Sequence, residues 1–496
     1  MNGAAMVNKK KAIVIGGGLG GLAVALRLAV RRWDVTVYEQ GSTLGGKMNR
    51  WSCDEFKFDT GPSLITMPWV FSELFEVAGE NLNDHSQLQA VEPLARYVFD
   101  DGLRFEATTS LPNWLETLNK LEPQGGNHFL QFMQLGSRLF RLSERTFFRR
   151  APSEPPDKES LMALRDFPLR RAWGRYDRTI QTFFKSRYLR MMYERFPTYV
   201  GSSPYCTPAM LTLIPFLEHA FGGWYVKGGL YCLVEGLVRL AEKCGVTLCI
   251  GQRVNRIISS KSRIKGIELA DGSFHGCEVV IMNGDASIAP VLLGEPEAVP
   301  LPEPDRSLSG FVMLLGIKRR LPDIAHHTVY FSSDYHAEFG DLFDRRCFPK
   351  DPTVYVSMPS YTDRSIAPPD GETLFIMANA PANDRDSWND QDVDKARSRV
   401  FHRLLKGGFP DIEHDIAVSA TWTPRRMAAT YDMPGGAIYG AHSHGWRKAF
   451  LRPPNKSNRY KGLYYVGGST HPGGGTPTVL MSAHITTDLI RKYEGL

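Results

Sequence analysis

Residues 11–39 run KAIVIGGGLGGLAVALRLAVRRWDVTVYE, and the fold follows from how this stretch is read. Lys11 to Ile15 is a short apolar run suited to a buried parallel strand. It ends in five glycines between Gly16 and Gly21, after which Leu22, Ala23, Ala25, Leu26 and Ala29 recur as the buried face of a helix. Asp34 to Glu39 reads as a second strand. Strand, glycine turn, helix and strand within about 30 residues make one βαβ unit with a dinucleotide-binding fingerprint. Gly16 permits the tight turn, Gly18 lets the backbone approach a pyrophosphate, and Gly21 allows close packing of helix on strand. The helix start, at Leu19 and Gly20, offers free amides and a positive dipole end to phosphates. Glu39 lies 18 residues beyond Gly21, at the end of the second strand, where a carboxylate can bind ribose hydroxyls.

Working outward, Leu44-Gly45-Gly46-Lys47 follows the second strand, and Phe58-Asp59-Thr60-Gly61-Pro62-Ser63 comes soon after. Residues 110–200 read as largely helical, with a break at Ala151-Pro152-Ser153-Glu154-Pro155-Pro156. Strands are expected at 246–250, 254–258 and 264–269, the last followed by a turn at Asp271-Gly272. Val279 to Met282 is a further buried strand leading into Asn283-Gly284-Asp285. This return to sheet after a long insertion points to a discontinuous cofactor domain. Leu463 to Val466 is a last strand, running into Gly467-Gly468. Past Gly475, a helix-like run spans 478–491, with Thr476 placed to cap it and Pro477 to occupy its first position. The competing reading of that segment is a plain glycine loop before a surface helix.

Composition bounds the rest. With 496 residues, 43% apolar and 23% charged, the chain is an ordinary globular protein of about three domain-sized units. Its net charge of +6 is concentrated: Arg138 to Arg195 holds 15 basic and 7 acidic residues. Nucleic acid, an anionic membrane surface or a solvated helical face could each account for that. The seven cysteines, an odd number without a Cys-x-x-Cys pair, suggest neither a disulfide framework nor a metal site, and a reducing cytoplasmic compartment is expected. Two long uncharged stretches, 196–217 and 462–487, are interrupted by prolines and glycines, so neither is expected to span a bilayer. There are no repeats.

The fingerprint, the acidic Glu39 and the Gly45-Gly46 turn together resemble the flavoprotein superfamily of amine oxidases, protoporphyrinogen oxidases and carotenoid desaturases. Lys47 stands where that superfamily usually has arginine, keeping the charge but losing the planar fork. Within it, the tail Val466-Gly467-Gly468-Ser469-Thr470-His471-Pro472-Gly473-Gly474-Gly475-Thr476-Pro477 resembles the bacterial-type, phytoene desaturase-like carotenoid desaturases. So do segments 199–205, 223–229, 326–331 and 434–440, in order along nearly the whole chain.

This resemblance implies FAD as cofactor and dehydrogenation of an acyclic carotenoid or related polyisoprenoid. A hydride would go to the flavin and a proton would leave the adjacent carbon. It implies an α/β fold: a discontinuous Rossmann-type FAD-binding domain (1–85, 226–300 and 430–496), a mixed-sheet substrate domain (86–135 and 301–429) and a helical, basic, membrane-associating region (136–225). Val254 would hold the adenine through its backbone, Gly61, Pro62 and Ser63 would lie near the flavin ring, and Gly467, Gly468, Gly475 and Thr476 would adjoin it; strand and turn roles are the alternative for the first four. His327 is a candidate proton acceptor or a structural histidine. Trp224 and Tyr225 are candidate channel-lining residues or core aromatics. An apolar substrate favours a membrane partner. Phe147, Phe148, Trp173, Tyr176, Phe183, Phe184 and Tyr188, interleaved with arginines, suit a headgroup layer, with 196–217 dipping into lipid. Localisation is then cytoplasmic and peripheral to the membrane, with quinone or oxygen as electron acceptor and no nucleic-acid partner. The same motifs serve carotenoid oxidases, isomerases and saturases, and the superfamily resembles prenyl-binding escort proteins that lack FAD.

Overall fold

A computed structural model describes residues 9–165, 167, 172–296, 298–385 and 388–495. Five parallel strands form the first sheet, in the order Leu463–Tyr465, Val279–Met282, Lys11–Ile15, Asp34–Glu39, Thr247–Ile250. The central strand pairs Ala12 with Val279 on one side and with Val35 on the other. The two-residue strand period divides its side chains between two cores. Ala12 and Val14 face the helices, packing with Leu22 and Leu26 of Leu19–Val30, with Leu237 of Tyr231–Lys243 and with Ala483 of Thr476–Glu494. Ile13 and Ile15 face a three-stranded antiparallel meander, packing on Ile257, Ile264 and Ile267. Both faces are covered, which is why these strands read as apolar runs rather than alternating ones.

The second sheet has seven strands, ordered Ile416–Trp422, Ser309–Ile317, Glu372–Ala380, Val354–Ser357, His327–Tyr330, Ala95–Val98, Arg104–Ala107. It is antiparallel except where His327–Tyr330 runs parallel to Ala95–Val98. Between Arg104–Ala107 of the second sheet and Thr247–Ile250 of the first, the chain forms a helical layer that includes Leu111–Leu121, Gly125–Arg145, Lys158–Arg165, Tyr176–Phe183 and Arg187–Glu194.

Two expectations about this layer are corrected. Of the aromatic residues assigned to a headgroup layer, Tyr176, Phe183 and Phe184 are buried in a core with Phe129 and Phe132. Tyr188 hydrogen-bonds Asp101, and Phe147 and Phe148 line an internal cavity, which leaves Trp173 exposed at 52%. The short helices bury one aromatic face each because, at eight residues apiece, they need tertiary packing to persist. Likewise 196–217 folds inward, with Phe196 and Thr212 fully buried and Met210, Leu213 and Leu217 on the cavity wall. Within the basic segment, Asp166 and residues 168–171 lie outside the described residues. Among the described residues no helix is long and apolar enough to cross a membrane.

Candidate active site: a nucleotide cradle continuous with an apolar cavity

The glycine turn is built by local constraints. Gly16 sits at φ +98°, and its amide donates to the carbonyl of Tyr38 on the neighbouring strand (2.8 Å). A β-carbon on Gly21 would lie 2.2 Å from the Gly16 carbonyl oxygen, so the helix approaches the turn only because residue 21 is glycine. Gly18 is the N-cap of Leu19–Val30 and has no side chain with which to satisfy the first amides, leaving them for a ligand. The Glu39 carboxylate accepts from the amides of Gly17 (2.8 Å) and Gly41 (2.7 Å), which holds it at the end of its strand facing the cavity.

Around this turn the rest of the cradle assembles. Gly45 donates to Gly17 O (2.8 Å), and both Gly45 and Gly46 have positive φ. Gly61 packs so close to the Lys47 carbonyl that a β-carbon would lie 1.8 Å from its oxygen. The amine of Lys47 reaches across to the carbonyl of Ile438, and enclosure by protein pushes its pKa down against the pull of Asp285. Gly467 (φ +116°), Gly468, Gly475 and Thr476 also border the cavity, as does Val254 at the start of its strand. The last helix starts one residue away from expectation. Gly475, at φ +124° and ψ 143°, is the N-cap, and Thr476 is the first helical residue without a capping bond from its side chain. That backbone conformation suits glycine alone.

Gly16, Gly18, Leu19, Gly20, Glu39, Gly45, Gly46, Lys47, Gly61, Pro62, Ser63, Val254, Gly467, Gly468, Gly475 and Thr476 thus all border one cavity of about 660 Å³. Gly21 lies behind it, in the helix-to-turn contact. Trp224 and Tyr225 do not border it: their strand pairs with Leu88–Ala90, and Tyr225 is 1% exposed against His326. Two residues unforeseen from the sequence support the cradle. Asn283 donates through Nδ2 to Gly16 O (2.9 Å), pinning the turn from the adjacent strand. Arg452 binds the carbonyl of Tyr439 (3.1 Å) and the hydroxyl of Ser443 (3.1 Å), and burial pushes its pKa down to about 10. Asn283 follows a buried strand just as Gly16 does, which is the signal that could have found it. Arg452 has no such signal.

Beyond the cradle the wall becomes apolar, with Leu64, Met210, Ile214, Leu217, Val312 and Phe375 among its residues. A polar group interrupts it. Ser63 Oγ lies 2.6 Å from the Tyr355 hydroxyl, which lies 2.7 Å from His327 Nδ1. Burial, then the neighbouring His326 and Arg195, push the His327 pKa well below its usual value, so its ring is neutral. Nearby, Arg195 donates to the Tyr199 hydroxyl (3.1 Å), which donates to Glu218 (3.1 Å).

A glycine turn that only glycine fits, a helix start with free amides and a carboxylate held at the end of the next strand suit a dinucleotide. The comparisons agree with that chemistry. The flavin-containing amine oxidoreductase family model matches residues 19–491, and the chain belongs to that family. A zeta-carotene-forming phytoene desaturase of Myxococcus xanthus is 34% identical over 494 residues, covering 99% of this chain and 95% of the relative. A 1-hydroxycarotenoid 3,4-desaturase of Flavobacterium sp. (strain P99-3) is 32% identical, covering 97% and 99%. A 4,4'-diapolycopene oxygenase of Methylomonas sp. is 33% identical, covering 97% and 98%. Among solved structures, an oxidoreductase from Methanosarcina mazei superposes with a TM-score of 0.63 at 16% identity (96% and 100% covered), and a putrescine oxidase at 0.61 and 12% (98% and 99%). These last share the fold. The chain is a flavin-containing oxidoreductase, and the dinucleotide its cradle suits is FAD.

Proposed function

We propose that this protein desaturates an acyclic carotenoid or related polyisoprenoid with FAD as its cofactor. The observation that carries the reading is continuity: the nucleotide cradle and the apolar space beyond it are one cavity. An elongated hydrocarbon in that space would reach the flavin end without crossing water. When bound, the flavin supplies the two-electron acceptor. The chain's own part is to hold the polyene by apolar contact, keep water out and present one segment of it at Gly61, Pro62 and Ser63. His327, neutral and weakly basic, serves better to orient the substrate than to take its proton. Quinone or oxygen is the proposed terminal acceptor.

The division into cofactor, substrate and membrane-associating regions is proposed along the boundaries given above, with one change to the membrane face. Leu161, Met162, Trp173, Trp446 and Leu451 are each at least 40% exposed. Trp173 packs at a tilt against Trp446 (3.9 Å between ring centroids), Trp446 at a tilt against Phe450, and Phe450 edge-on against Phe147 on the cavity wall. The exposed Trp173–Trp446 pair, linked through Phe450 to Phe147 on the cavity wall and followed in sequence by Arg447, suits peripheral contact with a cytoplasmic membrane leaflet holding the substrate. A second reading, oxidation of a carotenoid end group, is favoured by the similarity to the diapolycopene oxygenase.

The test is to express the chain in a host supplied with a colourless acyclic carotene and to record pigment absorption. New longer-wavelength bands that vanish in Gly18→Asp are expected. No new chromophore from the FAD-loaded enzyme would refute desaturation of that substrate class.

A further inference from the structure

A cavity built for a pure hydrocarbon gains nothing from buried charge, because removing an ion from water costs several kcal/mol unless it is paired. This cavity nevertheless carries Arg195 and Glu218 on its wall, 8% and 4% exposed. Arg195 donates a hydrogen bond to the hydroxyl of Tyr199 (3.1 Å), and its cation lies over the rings of Tyr199 (5.0 Å) and Tyr355 (5.7 Å). Burial alone would lower its pKa, but Tyr199, Tyr97 and Glu218 outweigh that and raise it, so the guanidinium stays charged. Its five N–H donors exceed what the one phenol takes up. Burial pushes the Glu218 carboxyl up against the pull of Arg195 and Tyr199.

A second feature points the same way. His327 is 3% exposed and borders the cavity, and its Nε2 has no hydrogen-bond partner among the described residues. A buried ring nitrogen left in that state costs free energy unless a ligand completes it. The Ser63–Tyr355–His327 chain can run in either direction, since either hydroxyl can donate in the Ser63–Tyr355 contact. With Tyr355 donating to Nδ1, Nε2 carries the proton and can donate to a carbonyl. With Nδ1 donating to Tyr355, Nε2 accepts from a hydroxyl. One imidazole can therefore serve either oxygen function.

We propose that Arg195, supported by Tyr199 and Glu218, and His327 Nε2 together form a recognition site for an oxygen function, a hydroxyl or carbonyl, carried by an otherwise apolar polyene. This deepens the desaturase reading and rests on it for the polyene. The hydrogen-bonded chain from His327 ends at Ser63, the residue proposed to lie by the flavin ring, so the oxygenated end would sit close to the reacting carbons. The site then selects a substrate already hydroxylated or hydrated by an earlier reaction, and places the new double bond near that terminus rather than mid-chain.

The experiment uses the full-length, FAD-loaded protein and two probes in the same detergent: an acyclic polyene with hydrocarbon ends, and the same skeleton bearing one tertiary hydroxyl at its end. Binding is read by quenching of protein fluorescence, and turnover by absorption. A hydrogen bond involving a charged partner predicts roughly 10- to 100-fold tighter binding of the hydroxylated probe. Arg195→Met and His327→Phe should each bring that ratio towards one. Because Arg195→Met strands a buried carboxylate, Arg195→Met/Glu218→Gln, which removes both charges, should give the same loss. Equal binding of the two probes by wild type, or a ratio unchanged in the double variant, overturns the recognition site. Selective binding of the hydroxylated probe with no new absorption band would leave the site standing and sink the desaturase reading instead.

Discussion

Gly21→Ala puts the reasoning about the cofactor cradle at greatest risk. The added methyl would lie 2.2 Å from the Gly16 carbonyl oxygen, whereas a carbon–oxygen contact settles at about 3.3 Å or more. The helix start must therefore retreat from the glycine turn by roughly 1 Å, at a cost of about 1–3 kcal/mol in packing. The retreat also moves the amides at the helix start that would hold the pyrophosphate. Losing one hydrogen bond to a charged group weakens binding by roughly 10- to 100-fold. The assay is flavin content per chain after extensive dialysis, followed by titration with FAD and a melting curve. Gly276→Ala is the control, because its β-carbon would meet nothing closer than 3.6 Å and the residue lies on the meander away from the cavity. Wild-type flavin retention and melting temperature in Gly21→Ala would refute the geometry argued for the turn.

Three further outcomes are expected. Glu39→Gln replaces one of two acceptor oxygens with a donor facing a backbone amide, so FAD affinity should fall roughly tenfold, measured by the same titration. Asp488 and Glu73 hold the His484 imidazolium and raise its pKa to about 9. Because the folded pKa lies above the unfolded one, that stabilisation is complete below about pH 6.5 and is lost as pH rises through about 9. The melting temperature of His484→Gln should therefore show a flatter decline than wild type across this window, and an identical slope would count against it. Trp173→Ser/Trp446→Ser should sediment less with anionic phospholipid vesicles, with flavin content retained; undiminished sedimentation would remove the proposed membrane face.

The parallel sheet was legible because its strands are buried on both faces and so appear as short continuous apolar runs. Lys11–Ile15, Asp34–Glu39 and Val279–Met282 stand where the sequence placed them, and the strands at 247, 254 and 263 begin within one residue of expectation. The seven-stranded sheet was expected only as a mixed sheet, without its members. Its strands come from positions as distant as 95 and 422, and no local pattern announces the parallel pairing of Thr328 with Arg96. The aromatic residues among arginines misled for a related reason. Periodicity tells that a helix has an apolar face, not whether lipid or protein covers it, and here Phe129 and Phe132 cover it.

The sequence by itself determined the first part of the nucleotide cradle, since a glycine turn, its helix and the acid that ends the next strand lie within 29 residues and depend on backbone conformation that few residue types allow. Tertiary structure alone decided what faces the substrate space. Arg195 caps the helix Arg187–Glu194, Tyr199 lies in the turn Phe196–Val200 and Glu218 in the helix Leu213–Phe221, while His327 and Tyr355 come from neighbouring strands and Ser63 from the loop after Phe56–Asp59. Their meeting rests on packing between segments far apart in the chain. Burial and the neighbouring groups together shift the titration of Arg195, Glu218, His327 and Tyr355, and both are properties of the assembled fold rather than of any one stretch of residues.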